Sequence, residues 1–319
     1  KKGKKFSDIS FKNFDLDFLK VFYAPSLFLT DGLKISGKSI ISLNDNNEFD
    51  ELLFDLFIRG GISYETFDGR ENLFLNNTKL SGQLVEEEIR ISFDLQHQKS
   101  IFSFGTSFNL NKKDTPNIFV KINHINVNNL LKVWPKDFKE SVYSWMSDNS
   151  KGLIDNFFIN LDFSNLNNNL SLENIDGGFD FKDTEIKYMD SMPSIIMING
   201  KAKIFSDKII FYVDNGSSEK LKLVDGYVSL YDLDTDSEKA DIKLRIISEN
   251  KDAVEYLDTS PIDKKNFTKL RKIKGEADID LNLNFPLLLD LKAEEIEYES
   301  KVNIYNASIN NLFYKISLE

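Results

Sequence analysis

The chain has 319 residues, 41% of them hydrophobic and 29% charged, with a formal net charge of −11. This composition excludes wholesale disorder, and the broad acidic balance argues against nucleic acid and against anionic lipid headgroups as surface partners. With no cysteine, the chain has no disulfides, thiol nucleophiles or cysteine-based metal sites.

The chain is rich in residues that suit strands, with 27 Phe and 11 Tyr. Near the start, Phe14 to Tyr23 fits a helix or a strand equally well. Period-two alternation then takes over. Ile89, Ile91, Phe93 and Leu95 alternate with Arg90, Ser92 and Asp94. Phe102, Phe104, Phe108 and Leu110 repeat the pattern, with Thr106 interrupting, and Ile118, Val120 and Ile122 follow. Such alternation predicts strands with one buried and one wet face, and polar outer faces favour antiparallel sheets. Turn signals separate the runs: Asp31-Gly32, Asp68-Gly69, Asn76-Asn77, Lys112 to Asp114, Asn167 to Asn169, Asn215-Gly216 and Asp225-Gly226. They predict a meander of hairpins.

Helical spacing is confined to a few places. Val127, Leu130 and Leu131 predict a short helix before Pro135, and Phe138, Val142, Trp145 and Met146 share one helical face. This region, Val127 to Asp148, is the natural seam between two β modules, residues 1–134 and 135–319. Beyond it, Phe157, Ile159, Leu161 and Phe163 alternate with Asn160 and Asp162. Asn250 to Asp258 predicts a third helix with Ala253, Val254 and Leu257 inward. The clearest strand sets Ile279, Leu281, Leu283 and Phe285 against Asp278, Asp280, Asn282 and Asn284.

The longest apolar runs, Ile195 to Ile198 and Leu287 to Leu289, fall far short of the roughly 20 residues a membrane-spanning helix needs. The chain begins at Lys1 and still reads as strand from Ile304 to Leu318, so it reads as a segment of something longer.

Candidate chemistry is sparse. Asp232 to Glu238 has a calcium-loop look, but Ser237 stands where the turn glycine belongs and Lys243 where the bidentate Glu belongs, so an acidic hairpin turn is expected. Glu86 to Glu88 reads as a solvated turn. His97 and His124 stand far apart with no nucleophile motif nearby and read as structural. Gly60-Gly61 and Gly177-Gly178 lack the context of phosphate loops. No acidic pair stands out as a glycosidase pair. Alternation alone favours a closed sandwich core.

One ordered set of motifs is more specific. It runs from Ser144-Trp145-Met146-Ser147 and Gly152 through the strand Leu153 to Phe163 and Gly177-Gly178-Phe179-Asp180-Phe181-Lys182-Asp183. Ile186-Lys187-Tyr188, Met192-Pro193 and Gly200 follow, and it closes on Ala253 to Pro261. This order and spacing resembles the AsmA-like proteins of the bacterial envelope, in their YhdP-like branch. The resemblance implies a mainly β fold, an elongated, twisted antiparallel sheet forming an open groove, apolar inside and polar outside, with a few short helices. It implies a non-enzymatic segment of a periplasm-spanning conduit for phospholipid in a Gram-negative bacterium, its parent anchored in the inner membrane. The partners implied are phospholipid acyl chains and, through other parts of the parent, the two membranes. It brings no cofactor, no metal and no catalytic residue. Phe157, Ile159, Leu161, Phe163, Phe179, Phe181, Ile279, Leu281, Leu283 and Phe285 become the candidate groove residues. Two other classes stand beside this one: a structural or chaperone-like scaffold for outer-membrane biogenesis, and a carbohydrate-active β-protein.

Overall fold

The computed structural model describes residues 5–15, 28–44, 46, 49–67, 69–85, 87–97, 99–109, 116–134, 140–166, 169–189, 191–235, 237–260, 270–288 and 291–309. The protein is mostly strand. Seven strands come first: β1 (Lys5–Asp15), β2 (Phe28–Leu43), β3 (Phe49–Thr66), β4 (Gly69–Val85), β5 (Glu88–His97), β6 (Ser100–Asn109) and β7 (Asn117–Asn126). Two helices follow, α1 (Val127–Lys132) and α2 (Glu140–Asn149). Then come β8 (Ser150–Leu166), β9 (Asn169–Ile186), β10 (Ile195–Phe205), β11 (Lys208–Ser218), β12 (Leu221–Tyr231) and β13 (Lys239–Glu249). Helix α3 (Asn250–Thr259) leads to β14 (Ile273–Pro286) and β15 (Glu297–Ile309).

Among the described residues the strands hydrogen-bond in chain order from β1 to β15 with no crossover, and the sheet is open. The predicted antiparallel, mainly β fold is therefore what forms. Contacts divide the chain into two units, residues 1–143 with 155–177 and residues 144–154 with 178–319.

The strands are longer than the turn signals predict, and the difference has one cause. Asp31-Gly32, Asn76-Asn77, Asn215-Gly216 and Asp225-Gly226 lie inside β2, β4, β11 and β12 rather than between strands. All four sit at irregularities in the ladder: the register shifts between Asp31 and Lys34, between Ile58 and Gly60 opposite Leu75 to Thr78, between Ile196 and Gly200 opposite Val213 to Ser217, and between Leu223 and Asp225. A bulge inserts an unpaired residue without ending the strand, so its residue preferences resemble those of a turn. Gly32 at φ +58 shows the left-handed backbone such a position demands. The stretch Phe14 to Tyr23 is strand up to Asp15; its remainder lies outside the described residues.

The bulged part of β10 is tied down by one side chain. Asn199 donates from Nδ2 to the Met197 carbonyl at 3.0 Å and to Asn215 Oδ1 at 2.8 Å, and its Oδ1 accepts from the Asp183 amide at 3.0 Å. One amide thus bridges β9, β10 and β11 where Asp183 and Met197 take positive φ.

The three predicted helices form. Asn126 caps α1 by accepting from the Asn128 amide at 2.8 Å. In α3, Ala253 and Val254 are buried and Leu257 is half-buried, as the spacing predicts. In α2 the expected apolar face is not covered: Val142 and Trp145 are exposed and Met146 is half-buried, while Phe138 lies outside the described residues. Periodicity sets which residues share a helix face but does not by itself supply a partner for it. The ring of Tyr143 stacks on Phe67 at 4.4 Å.

Two substitutions test this account of the ladder. Asn199→Ala removes three hydrogen bonds around a strained bulge and is expected to destabilise by about 1–3 kcal/mol. Gly226→Ala would place a Cβ 2.3 Å from the Lys243 carbonyl oxygen at φ +156, a strained clash worth about 1–3 kcal/mol. Both are read by urea denaturation. Unchanged midpoints would show that the bulges tolerate other backbone conformations.

Candidate functional site

Cross-strand register assigns every side chain to a face, because directly paired residues point the same way. In the second unit four rows cross the sheet. The first joins Ile204, Ile209, Leu230, Ala240 and Phe285. The next joins Ala202, Phe211, Val228, Ile242, Leu283 and Tyr298. A third joins Gly200, Val213, Gly226, Leu244, Leu281 and Ser300. The fourth joins Gly216, Leu223, Ile246, Ile279 and Val302. None of these positions carries a charge.

The alternate positions are mostly charged or polar, with Ile210 and Ile247 among the exceptions. Arg245 donates to Asp278 from Nε at 3.1 Å and Nη2 at 2.8 Å, which holds the Asp278 carboxyl below its usual range. Lysines stand over tyrosine rings on this outer face, Lys203 over Tyr212 and Lys243 over Tyr227, each about 5.7 Å or less from the centroid. Tyr227 also donates to Asp241 at 2.9 Å.

Ile279, Leu281, Leu283 and Phe285 therefore share one face, with Asp278, Asp280, Asn282 and Asn284 on the other. All four apolar residues are half-buried. Phe179 is half-buried as well, whereas Phe181 is buried in a cluster with Ile198, Val213 and Leu223. Phe179, Phe181 and Phe211 meet edge-on or tilted with centroids 6.2–6.3 Å apart. Phe181 is thus more a floor than a contact surface. Its ring fills the space over Gly200, where a Cβ would lie 2.6 Å from Phe181 Cζ.

The first unit is organised alike. One row joins Ile41, Leu52, Leu84, Ile89 and Phe108. Another joins Gly37, Leu56, Leu80, Phe93, Phe104 and Val120, with the Phe93 and Phe104 rings stacked at 4.7 Å. Between these rows the ring of Phe54 covers Gly82. In β8, Asp162 accepts from Asn117, and Asn117 pairs with Ser107 on the polar face. Asp162 is therefore on that face, which puts Phe157, Ile159, Leu161 and Phe163 on the apolar one. Ile159 Cγ1 lies 3.3 Å from where a Gly177 Cβ would stand, and all four residues are half-buried.

A recess of about 840 Å³ lies over the opposite face of the first unit, among Ile40, Leu53, Asp55, Arg90 and Phe119. Its floor carries paired charges. Lys79 lies 3.3 Å from Asp55, and Asp55 accepts from Ser81 at 2.6 Å, which holds its carboxyl low. Arg90 makes a two-pronged pair with Glu88. The charge-free rows are the better candidate surface for an apolar ligand, since these pairs keep the recess wet.

The remaining sequence candidates take structural places. His124 shares a hydrogen bond of 2.8 Å with Asp155, while the His97 side chain lies outside the described residues. In the acidic segment the Thr235 amide and hydroxyl both donate to the Asp232 carbonyl, as in a turn. Among the described residues no cluster of His, Asp or Glu has metal-binding geometry. Sequence reading left out half of the second unit's apolar face. Ile242, Leu244 and Ile246 alternate as plainly as Ile279 to Phe285, but β10 to β12 place glycine or alanine at apolar positions, which hides the period.

No helix among the described residues is long and apolar enough to cross a membrane, which leaves strand-based insertion aside. Neither the curated proteins nor the solved structures contain a match to the chain. The family model described as YhdP protein matches residues 71–315. The match takes in the strands of the second unit and much of the first, and the chain belongs to the YhdP family.

Proposed function

We propose that the chain is a lipid-binding segment of a conduit that carries phospholipid between the inner and outer membranes of a Gram-negative bacterium. It works without catalysis, in the periplasm, as part of a parent protein anchored in the inner membrane. One observation carries this reading: in each unit uncharged, mostly apolar rows, half-exposed across several strands, lie opposite a face that carries charges. Membership of the YhdP family agrees with a lipid-transport role in the envelope.

The physical argument is one of hydration. Each CH₂ of an acyl chain left in water costs about 0.8 kcal/mol. The rows from Phe285 to Ile279 offer continuous hydrocarbon contact, while a phosphate headgroup would remain at the solvent edge. Leu281, Leu283 and their β13 partners Leu244 and Ile242 carry no hydrogen-bonding side chain that would fix a lipid in place. Contact through dispersion and burial alone is non-directional, which suits passage rather than retention.

Charge placed on this face tests the reading. Leu281→Asp and Ile159→Asp are each expected to cut photo-crosslinking of lipid at neighbouring positions by about tenfold or more, since a carboxylate facing hydrocarbon costs on the order of 2–3 kcal/mol. Folding should survive, because both side chains are half-exposed and the carboxylate can reach water. A closed core would instead bury the charge and lose several kcal/mol of stability, roughly 3–5. Thermal denaturation of each variant separates the cases. Undiminished crosslinks, or a wild-type protein from which solvent extracts no lipid, would overturn the conduit reading. Collapse of both variants would assign the face to an ordinary core.

A further inference from the structure

Helix α3 lies across one end of the second unit's apolar face. Its path is fixed by side chains along its length. Asn250 donates from Nδ2 to the carbonyls of Leu270 at 2.8 Å and Ile273 at 2.7 Å, just where β14 begins. Asp252 pairs with Lys220, in the turn between β11 and β12, at 2.9 Å. The Tyr256 hydroxyl meets that of Tyr188 at 2.6 Å, and the Thr259 hydroxyl lies 3.2 Å from Met192 Sδ, both in the link from β9 to β10. The helix therefore crosses the ends of several strands.

Burial shows which face it covers. At this end Leu221, Leu223, Ser248 and Ala277 are buried, and their register places them on the apolar face. Their alternates Lys222, Glu249 and Glu276 are exposed. At the far end Ile209, Leu230, Leu283 and Phe285, on the same face, are only half-buried. The helix covers one end of the face; at the far end the large side chains are half-buried, with the small Ala202 and Ala240 buried among them.

The roof is shallow. Its buried apolar side chains are Ala253 and Val254, and in β13 and β14, on which it packs, Ala277 is wholly buried and the Ser248 hydroxyl is buried with no hydrogen-bond partner among the described residues. No side chain caps the helix at Glu249. The polar ties to Lys220 and Tyr188 sit at its margin. Small side chains over an unpaired hydroxyl form a contact that another apolar body can replace.

We propose that α3 is a displaceable cap. It covers the apolar face when no ligand is there, and an acyl chain advancing from the Phe285 end must lift it to pass the Ser248–Ala277 row. The Lys220–Asp252 pair is its latch. This inference rests on the conduit reading. Helix and acyl chain compete for one surface, so lipid must shift α3 toward its lifted state.

The natural chain has no cysteine, so a single introduced thiol reports on the cap. In Val254→Cys the thiol lies on the buried underside of α3, and in Lys251→Cys it lies on the exposed side. With a water-soluble maleimide, the Val254→Cys thiol should react at least tenfold more slowly than the Lys251→Cys thiol. Vesicles of phosphatidylethanolamine and phosphatidylglycerol should accelerate it severalfold, and so should adding Asp252→Asn, with the thermal midpoint little changed. A Val254→Cys rate indifferent to both would overturn the cap, as would acceleration that merely tracks a lowered midpoint. A photoreactive residue replacing Leu283 separates the two readings. Lipid captured there with no change at α3 leaves the conduit standing and removes the cap. No lipid captured there removes the conduit, and the cap with it.

Discussion

Everything in this protein depends on cross-strand register. A strand alternates faces with a period of two, so a slip of one residue would bring charge onto the apolar face and hydrocarbon onto the wet one. Between β13 and β14 the pairing is unbroken from Lys239–Pro286 to Glu249–Glu276. From Ala240–Phe285 to Ile246–Ile279 apolar residues oppose apolar ones and charges oppose polar or charged partners, while Ile247 stands opposite Asp278. The Arg245–Asp278 pair reaches diagonally across the same two strands on the outer face. That pair is exposed and adds little stability alone. Its value is directional, since a slipped register would separate it and turn both charges toward hydrocarbon.

Long strands in a meander accumulate twist, and the bulges are where the ladder yields to it. Several bulge residues are asparagine or glycine. Asn13, Asn156 and Asn306 take positive φ near +50, a conformation that asparagine tolerates better than other side chains that carry a Cβ. The abundance of asparagine has a structural use here: the same residue type that turns the backbone also bridges the irregular ladder, as Asn199 does between β9 and β11.

These two facts explain what the sequence shows and what it hides. Where a strand runs regular, as at Ile279 to Phe285 or Ile89 to Leu95, alternation names its face in advance. Where it bulges, a dipeptide such as Asp225-Gly226 carries the same local preferences as a turn and reads as a break. Glycine and alanine at Gly200, Ala202 and Gly226 belong to the apolar face only through what packs beside them, the rings of Phe181 and Phe211 among them. That is a property of the neighbouring strand, and no window along one strand contains it. Helix α2 fails in the opposite direction. Val142 and Trp145 keep the correct spacing, yet the structure leaves them exposed, because spacing specifies a face and not its cover.

The division of the apolar face into a roofed end and a half-buried length follows from the same economy of small residues. Ala277, wholly buried, lets α3 approach β14 closely, and a larger side chain there would hold the helix away. Leu281 and Leu283, farther along β14, have no such cover and stand half in water. A net charge of −11 opposes self-association of the chain. On the conduit reading proposed above, a surface of this kind would hold an acyl chain by burial alone. The attraction is nearly the same at each row, from Phe285 to Ile279, so moving one row along neither gains nor loses much contact. On the proposed reading the surface changes character at the Ser248–Ala277 row, because there the ligand would replace a helix rather than water.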